Sequence, residues 1–173
     1  IPAGIVIIQI IYTVFLQNIF TDMSSKTLAK NRKARFEYEI QNTMEVGIVL
    51  QGTEVKSVRA GQINLTESYC RVDDRLQVYL LNAHISQYDF GNRHNHDPLR
   101  PRRLLLHRSE IRRLYGKVKE QGLTLIPLKI YLKGGIIKME LALGRGKKLH
   151  DKRQTMKKRD AERDVERALS ERT

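Results

Sequence analysis

The sequence predicts a mainly β protein with some helix, an α+β chain whose short strands form a small antiparallel barrel of the oligonucleotide-binding type. Three observations carry that prediction. Apolar residues recur with period two in short stretches separated by turn residues. Helical spacing is clear between Ser109 and Gly122. Beyond Leu143 apolar residues become too sparse to bury a helix against a core. Closing short strands into a barrel removes exposed edges and leaves a strand face for binding. The same periodicity also fits a generic α+β sheet. A chain of 173 residues suffices for one domain with a modest core, plus tails.

Residues 1–22 are apolar and carry no charge before Asp22. About 20 apolar residues are what a membrane-spanning helix needs, but Gln9, Gln17 and Asn18 weaken the run and no Lys or Arg precedes it. Met23 is the first methionine, and a basic, polar stretch follows it. The preferred reading is an upstream extension joined to a protein starting at Met23. The alternative is a membrane anchor or targeting segment.

Residues 23–35 form a basic arm with Lys26, Lys30, Arg32, Lys33 and Arg35. Phe36, Tyr38 and Ile40 then alternate with Glu37, Glu39 and Gln41, which predicts a strand. The segment 42–50 fits a strand or a short helix, Val55 to Arg59 reads as a strand, and Gly61 offers a turn. Tyr69–Val72 and Leu76–Leu80 flank Asp73-Asp74-Arg75 as a hairpin, and residues 87–103 read as a long loop rich in Asp, Asn, Gly and Pro. Leu104–Leu106 opens the next element. Ser109 is placed to cap a helix with Ile111, Leu114, Tyr115 and Val118 on one face, and Gly122 to end it. Leu123–Leu132 and a returning strand bearing Ile137, Met139, Leu141 and Leu143 enclose the turn Lys133-Gly134-Gly135. Pro127 lacks an amide hydrogen, so its strand is expected at an edge or bulged there. Gly144 and Gly146 are expected to end the returning strand. The domain thus runs over 36–143, and 144–173 is a polar tail, too weakly supported by side-chain pairs to fold alone.

Charge narrows the function. Lys and Arg total 32 against 19 Asp and Glu, a formal +13, with a pI near 10.0. That excess repels itself unless an acidic partner, nucleic acid or an anionic membrane, neutralises it. Basic residues outnumber acidic ones both before and after Gly144, so a basic face and a basic tail are both available. Cys70 is the only cysteine, which excludes an intrachain disulfide and suits a reducing cytoplasm.

Enzyme chemistry finds little support, and no cofactor is implied. His94, His96 and Asp97 cluster as a metal site for a nuclease would require, but a metal needs three or four ligands in fixed geometry, and His84 and His107 lack a supporting spacing. Polar loop residues are the simpler reading. Cys70 in a strand reads as a small buried hydrophobe, and Gly144-Arg-Gly146 is too short to cradle phosphate. Glu54 is the one acid whose position in an ordered run suggests constraint. Basic segments together with Tyr38, Tyr69, Tyr79, Tyr88 and Tyr115 combine phosphate neutralisation with stacking surfaces, as RNA binding requires, although these tyrosines also suit a core.

Four separated stretches carry a resemblance: Leu50 to Tyr69 (LQGTEVKSVRAGQINLTESY), Asn31 to Tyr38 (NRKARFEY), Asp97 to Leu106 (DPLRPRRLLL) and Gly146 to Arg153 (GKKLHDKR). In order and spacing they resemble the SsrA-binding protein (small protein B) family over residues 23–173. The resemblance implies an oligonucleotide-binding-type barrel that binds the tRNA-like domain of transfer-messenger RNA. It also implies a tail that enters the empty mRNA channel of a stalled ribosome and folds there as a helix. By matching motif, Asn31, Glu45 and Leu105 belong to the RNA-binding face, with core packing the alternative for Leu105. Lys56, Arg59, Arg102 and Arg103 are the phosphate-contact candidates, argued from charge beside those motifs. Gly146, Lys147, Lys148, His150, Asp151, Lys152 and Arg153 match the decoding-centre segment, His150 placed to stack on a ribosomal base, with Lys157 and Lys158 meeting ribosomal RNA. Thr53 departs from the family, where a larger residue is frequent. The rival readings are a single-stranded RNA-binding barrel without a ribosomal role, and the metal nuclease.

Overall fold

The structure, a computed structural model, describes residues 25–91, 95–148 and 156. In chain order the elements are β1 (Lys26–Lys30), α1 (Ala34–Glu37), β2 (Tyr38–Ile48), α2 (Gly52–Arg59), β3 (Ile63–Asn64), β4 (Tyr69–Val72), β5 (Val78–Leu81), β6 (His84–Ile85), β7 (Arg102–Leu105), α3 (Arg108–Gln121), β8 (Thr124–Lys133) and β9 (Ile136–Gly146). Neighbouring strands run β8-β4-β5-β7-β2-β9, and β9 pairs back onto β8, so the sheet closes into an antiparallel ring. β1 extends the edge of β8 that β4 also meets, and β3 pairs with β6 as a separate ribbon.

Alternation explains the ring. On β9, Ile137, Met139, Leu141 and Leu143 are buried, while the residues between them are more exposed up to Glu140. Val78 and Leu80 of β5 and Leu104 of β7 meet them inside, and α3 seals the core with Ile111 and Leu114. The β8–β9 turn has Gly134 and Gly135 at φ 55° and 78°, a region other residues adopt only with strain. The register of β8 on β9 slips between Pro127 and Lys129, the bulge that a proline without an amide hydrogen demands.

Several local expectations change. Val55–Arg59 is helix, not strand: Gln51 N–H donates to Glu54 Oε2 at 2.7 Å in a capping box that starts α2, and Val58 turns fully inward. Phe36 and Glu37 lie in α1, where Asn31 Oδ1 accepts the Ala34 amide at 3.0 Å. Of the two readings for residues 42–50, strand holds as far as Ile48. α3 is capped by His107, not Ser109, because Glu110 reaches back to the His107 amide at 2.9 Å; it ends at Gly122 with φ 61°, as expected. Leu76 sits at φ 56° in the hairpin turn, so β5 begins only at Val78.

The predicted loop ends early, since Arg102 and Arg103 belong to β7. Gly144 does not break β9, which continues to Gly146. Its missing side chain lets β2 pass close, because a Cβ there would lie 2.8 Å from Glu39 O. Residues 1–22, His94 and the tail positions His150, Asp151, Lys152, Arg153, Lys157 and Lys158 lie outside the described residues. No helix among the described residues is long and apolar enough to cross a membrane.

Candidate nucleic-acid interface

The first of three charged regions faces inward. Glu54, with no exposed surface, accepts Arg102 Nε at 2.9 Å and Arg100 Nε at 3.0 Å on Oε1, and Arg100 Nη2 at 2.5 Å on Oε2. Arg102 is equally buried and donates further to the carbonyls of Ala83, Asp97 and Pro98. Burial would raise the Glu54 pKa. The hydrogen bonds from Arg100, the Gln51 amide and Arg102 outweigh it and hold the carboxyl below its ordinary range. Arg102, expected at phosphate, is therefore a structural residue: its guanidinium is buried, and each of its nitrogens donates inside the protein. Glu54 is constrained, as its position suggested.

The second region is the outer face of the ring. Gly47 of β2 pairs with Leu105 of β7 and with Lys138 of β9, which pairs with Tyr131 of β8. Two residues before Gly47, Glu45 lies on the same face. It accepts the Tyr131 hydroxyl at 2.6 Å and Lys133 Nζ at 3.4 Å, and pairs with Lys138 at 3.8 Å. The Tyr131 hydrogen bond is the largest cause holding the Glu45 carboxyl below the ordinary range. Leu105 is 51% exposed, so core packing is not its role. A Cβ on Gly47 would crowd it at 3.1 Å, so the glycine gives this leucine its place. Arg103 is exposed two residues before Leu105 on the same face. Tyr131, Lys133 and Lys138 were not singled out from sequence. For Lys138 the signal was available in the alternation of β9, but Tyr131 and Lys133 lie on β8, and the pairing that brings all three to Glu45 cannot be read from one strand.

The third region is a cleft of about 490 Å³ lined by Thr27, Lys30, Asn31, Arg32, Arg35, Phe36, Leu128, Lys129 and Glu140. Its cations come mostly from the segment read as a basic arm. Asn31 is buried there: Nδ2 donates to Leu65 O at 3.0 Å and Oδ1 accepts the Ala34 amide. Its side chain ties β1, α1 and the β3–β4 connection together, which makes it a positioning residue for the cleft rather than a free hydrogen-bonding group. On α2, Lys56 Nζ lies 4.8 Å from the centroid of the Tyr88 ring, and Arg59 Nη2 donates to Gly135 O at 2.9 Å. Glu45, Arg103 and Leu105 thus share a face, while Asn31 lies in the cleft and Lys56 and Arg59 on a helix.

Gly146 ends β9. The Lys147 amide donates to Glu37 O at 2.8 Å and its Nζ to Arg35 O at 3.1 Å, while Lys148 is exposed. Two of the groups weighed for enzyme chemistry, His96 and Cys70, are occupied or inert. His96 is buried with Nε2 3.1 Å from Ile85 O and Nδ1 2.9 Å from Thr53 Oγ1. Nε2 faces a carbonyl and so carries hydrogen; in the neutral ring Nδ1 accepts the Thr53 hydroxyl. Thr53, expected from the resemblance to be a departure toward a smaller residue, makes this hydrogen bond. Burial pushes the Cys70 thiol up, away from a reactive thiolate. Among the described residues no group of three potential metal ligands occurs.

A closed antiparallel ring with a basic, partly apolar outer face and a cationic cleft defines a small nucleic-acid-binding barrel. The model of the SmpB protein family matches residues 28–171. Similar proteins include the SsrA-binding proteins of Geobacillus sp. (strain WCH70), 56% identical over 147 residues, 85% of this chain and 94% of that one, and of Bacillus subtilis (strain 168), 54% identical over 146 residues, 84% and 93%. That of Thermosynechococcus vestitus is 55% identical over 150 residues, 86% and 98%. A solved structure described as "tmRNA-SmpB: a journey to the center of the bacterial ribosome" matches with a TM-score of 0.58 and 52% identity, covering 70% of this chain and 85% of that one. The chain belongs to the SmpB family.

Proposed function

We propose that this chain binds the tRNA-like domain of transfer-messenger RNA and delivers it to stalled ribosomes, for tagging of the nascent chain and release of the ribosome. The observation that carries this is identity above half over nearly the full length of SsrA-binding proteins, in a chain whose ring has the charge such a partner needs. Its partners are transfer-messenger RNA and the ribosome. It acts as an RNA-binding protein without catalysis of its own, in the cytoplasm.

Within this reading the barrel takes transfer-messenger RNA on the face bearing Glu45, Arg103 and Leu105 and on the cleft positioned by Asn31, with Lys56 and Arg59 contributing charge from α2. The tail from Gly146 through His150, Asp151, Lys152 and Arg153 to Lys157 and Lys158 serves the decoding centre and mRNA channel. A test of this division needs truncation after Lys148, because β9 and the Lys147 contacts belong to the ring. The shortened protein is expected to bind transfer-messenger RNA like the full chain and to support no tagging of stalled chains. Retained tagging would refute the tail's role. Equal affinity of the full chain for transfer-messenger RNA and for unrelated RNA of equal length, at two salt concentrations, would refute specific recognition and leave a generic electrostatic binder.

A further inference from the structure

Strand register places three side chains in one outward row. Arg71 of β4 is paired with Tyr79 of β5, and Tyr79 with Arg103 of β7. Their neighbours Cys70, Val78, Leu80, Arg102 and Leu104 are buried, so alternation turns the three outward; Arg71 and Arg103 are exposed and Tyr79 is half-buried. Side chains directly opposite across antiparallel strands lie about 4.5–5.5 Å apart at Cβ. Tyr79 therefore has an arginine as its cross-strand neighbour on each side. At one end of the row, Arg75 and Arg108 join Arg103 around a groove of about 390 Å³ over Leu104, Leu105, Leu106 and Ile111.

None of these four arginines takes part in an ion pair among the described residues. Of the acids in the nearby β4–β5 turn, Asp73 accepts the Arg75 and Gln77 amides, and exposed Asp74 is the other carboxylate there. Aligned cations repel one another in the free protein, so the row favours a partner that brings negative charge at more than one point. The ring between them favours one that also brings a planar apolar face. An acidic peptide supplies only the first. Duplex RNA supplies phosphates but hides its base faces, whereas unpaired nucleotides supply both in alternation.

We infer that the Arg71–Tyr79–Arg103 row is a binding site for an unpaired stretch of RNA. One base stacks on Tyr79, Arg71 and Arg103 hold the flanking phosphates, and the groove at Arg75 and Arg108 receives the continuing strand. The inference rests on the reading of this chain as an RNA binder and deepens it. The row shares Arg103, and its groove Leu105, with the face assigned to transfer-messenger RNA. It extends that face across β5 and β4 to Arg71 and has no residue in common with the cleft at Asn31.

The test uses the full chain and a fluorescein-labelled RNA of about ten unpaired nucleotides, a length suited to one barrel, with the same sequence in duplex form and a glutamate-rich peptide as comparisons. Anisotropy is expected to show preference for the unpaired RNA. Tyr79→Leu is expected to weaken that binding about tenfold, and Tyr79→Phe, which keeps the ring, to change it by less than about twofold. Arg71→Gln removes only an exposed side chain and is expected to lower the salt dependence of binding by about one unit of log–log slope. Unchanged binding by folded Tyr79→Leu, an unchanged slope for Arg71→Gln, or no preference for unpaired RNA over duplex or peptide would overturn the inference. Transfer-messenger RNA affinity measured alongside separates the two readings. If the chain binds it without preferring the unpaired oligonucleotide, the row alone is wrong. If the oligonucleotide binds and transfer-messenger RNA does not, the proposed function is wrong and the row stands.

Discussion

Arg102 and Arg103 differ in position by one residue and in environment as much as two arginines can. Arg102 points into the ring end beneath α2, where it meets Glu54 and the carbonyls of Ala83 and Pro98 with no exposed surface. Arg103 points out onto the strand face beside Tyr79, with no ion pair among the described residues. Period-two alternation alone produces this split. The inner arginine fixes the segment 97–102 to α2, and the outer one is left for a partner. In a chain of net charge +13, the total says little about which cations bind; the side of the strand decides it.

The largest effect expected from breaking this contrast is at Glu54. Glu54→Gln leaves two guanidinium groups facing a neutral amide, one of them buried, and loss of a buried ion-pair partner costs about 3–5 kcal/mol. Urea unfolding of the variant should show that loss. Adding Arg102→Met should recover part of it, because the unpaired buried charge is then gone. Retention of full stability by Glu54→Gln would mean that water reaches the cluster and that inner and outer arginines differ less than the geometry indicates.

The same cluster sets a pH dependence. The Glu54 carboxyl titrates below its ordinary 4.5 in the folded protein. Its contribution is therefore complete above that value and fades as pH falls through the lower folded pKa. The stability gap between the parent and Glu54→Gln should hold at neutral pH and narrow only on the acid side. A gap that narrowed toward alkaline pH would contradict the assignment.

These two predictions turn on positions where sequence and structure part company. The strands were only partly legible. Alternation on β9 is local, as were the Gly134-Gly135 turn and the bulge at Pro127. The same pattern fitted an open sheet, however, and β8 buries Leu125 to Leu128 without alternating. The α2 segment was not legible. Val55 and Val58 favour strands in isolation, and the capping box that overrides them depends on Glu54, whose other partners, Arg100 and Arg102, lie more than forty residues away. The same distance hid the role of Arg102, since charge beside a matching motif cannot say which side of a strand a residue occupies. Asn31 was singled out by motif, but its buried contact with Leu65 O could not be read from the sequence, because Leu65 belongs to a distant connection. Glu45 and Leu105 were singled out by motif, but the groups around Glu45 come from strands whose pairing only the closed ring defines.

A smaller effect is expected at the junction of α2 with the loop. Thr53→Val keeps volume and removes the hydroxyl that His96 Nδ1 faces at 2.9 Å. Leaving a buried polar group without its partner costs about 1–3 kcal/mol. Thermal unfolding should detect the change, and it should be smaller than that of Glu54→Gln, since one neutral hydrogen bond is lost and no buried charge is stranded. A substitution without effect would show that a second group satisfies the imidazole.

The smallest effect on folding, and the sharpest contrast, is expected at Arg103. Exposed and outside any ion pair among the described residues, its replacement by Gln should change stability by no more than about 0.5 kcal/mol. Loss of one phosphate contact should lower the salt slope of RNA binding by about one unit. Arg102→Gln should do the reverse, lowering stability strongly while leaving the salt slope of the protein that remains folded unchanged. Denaturant midpoints and affinities at several salt concentrations, measured on both variants, place each arginine on a plane of folding against binding. Were the two to fall together on that plane, strand alternation would not be what separates structural charge from interface charge in this protein.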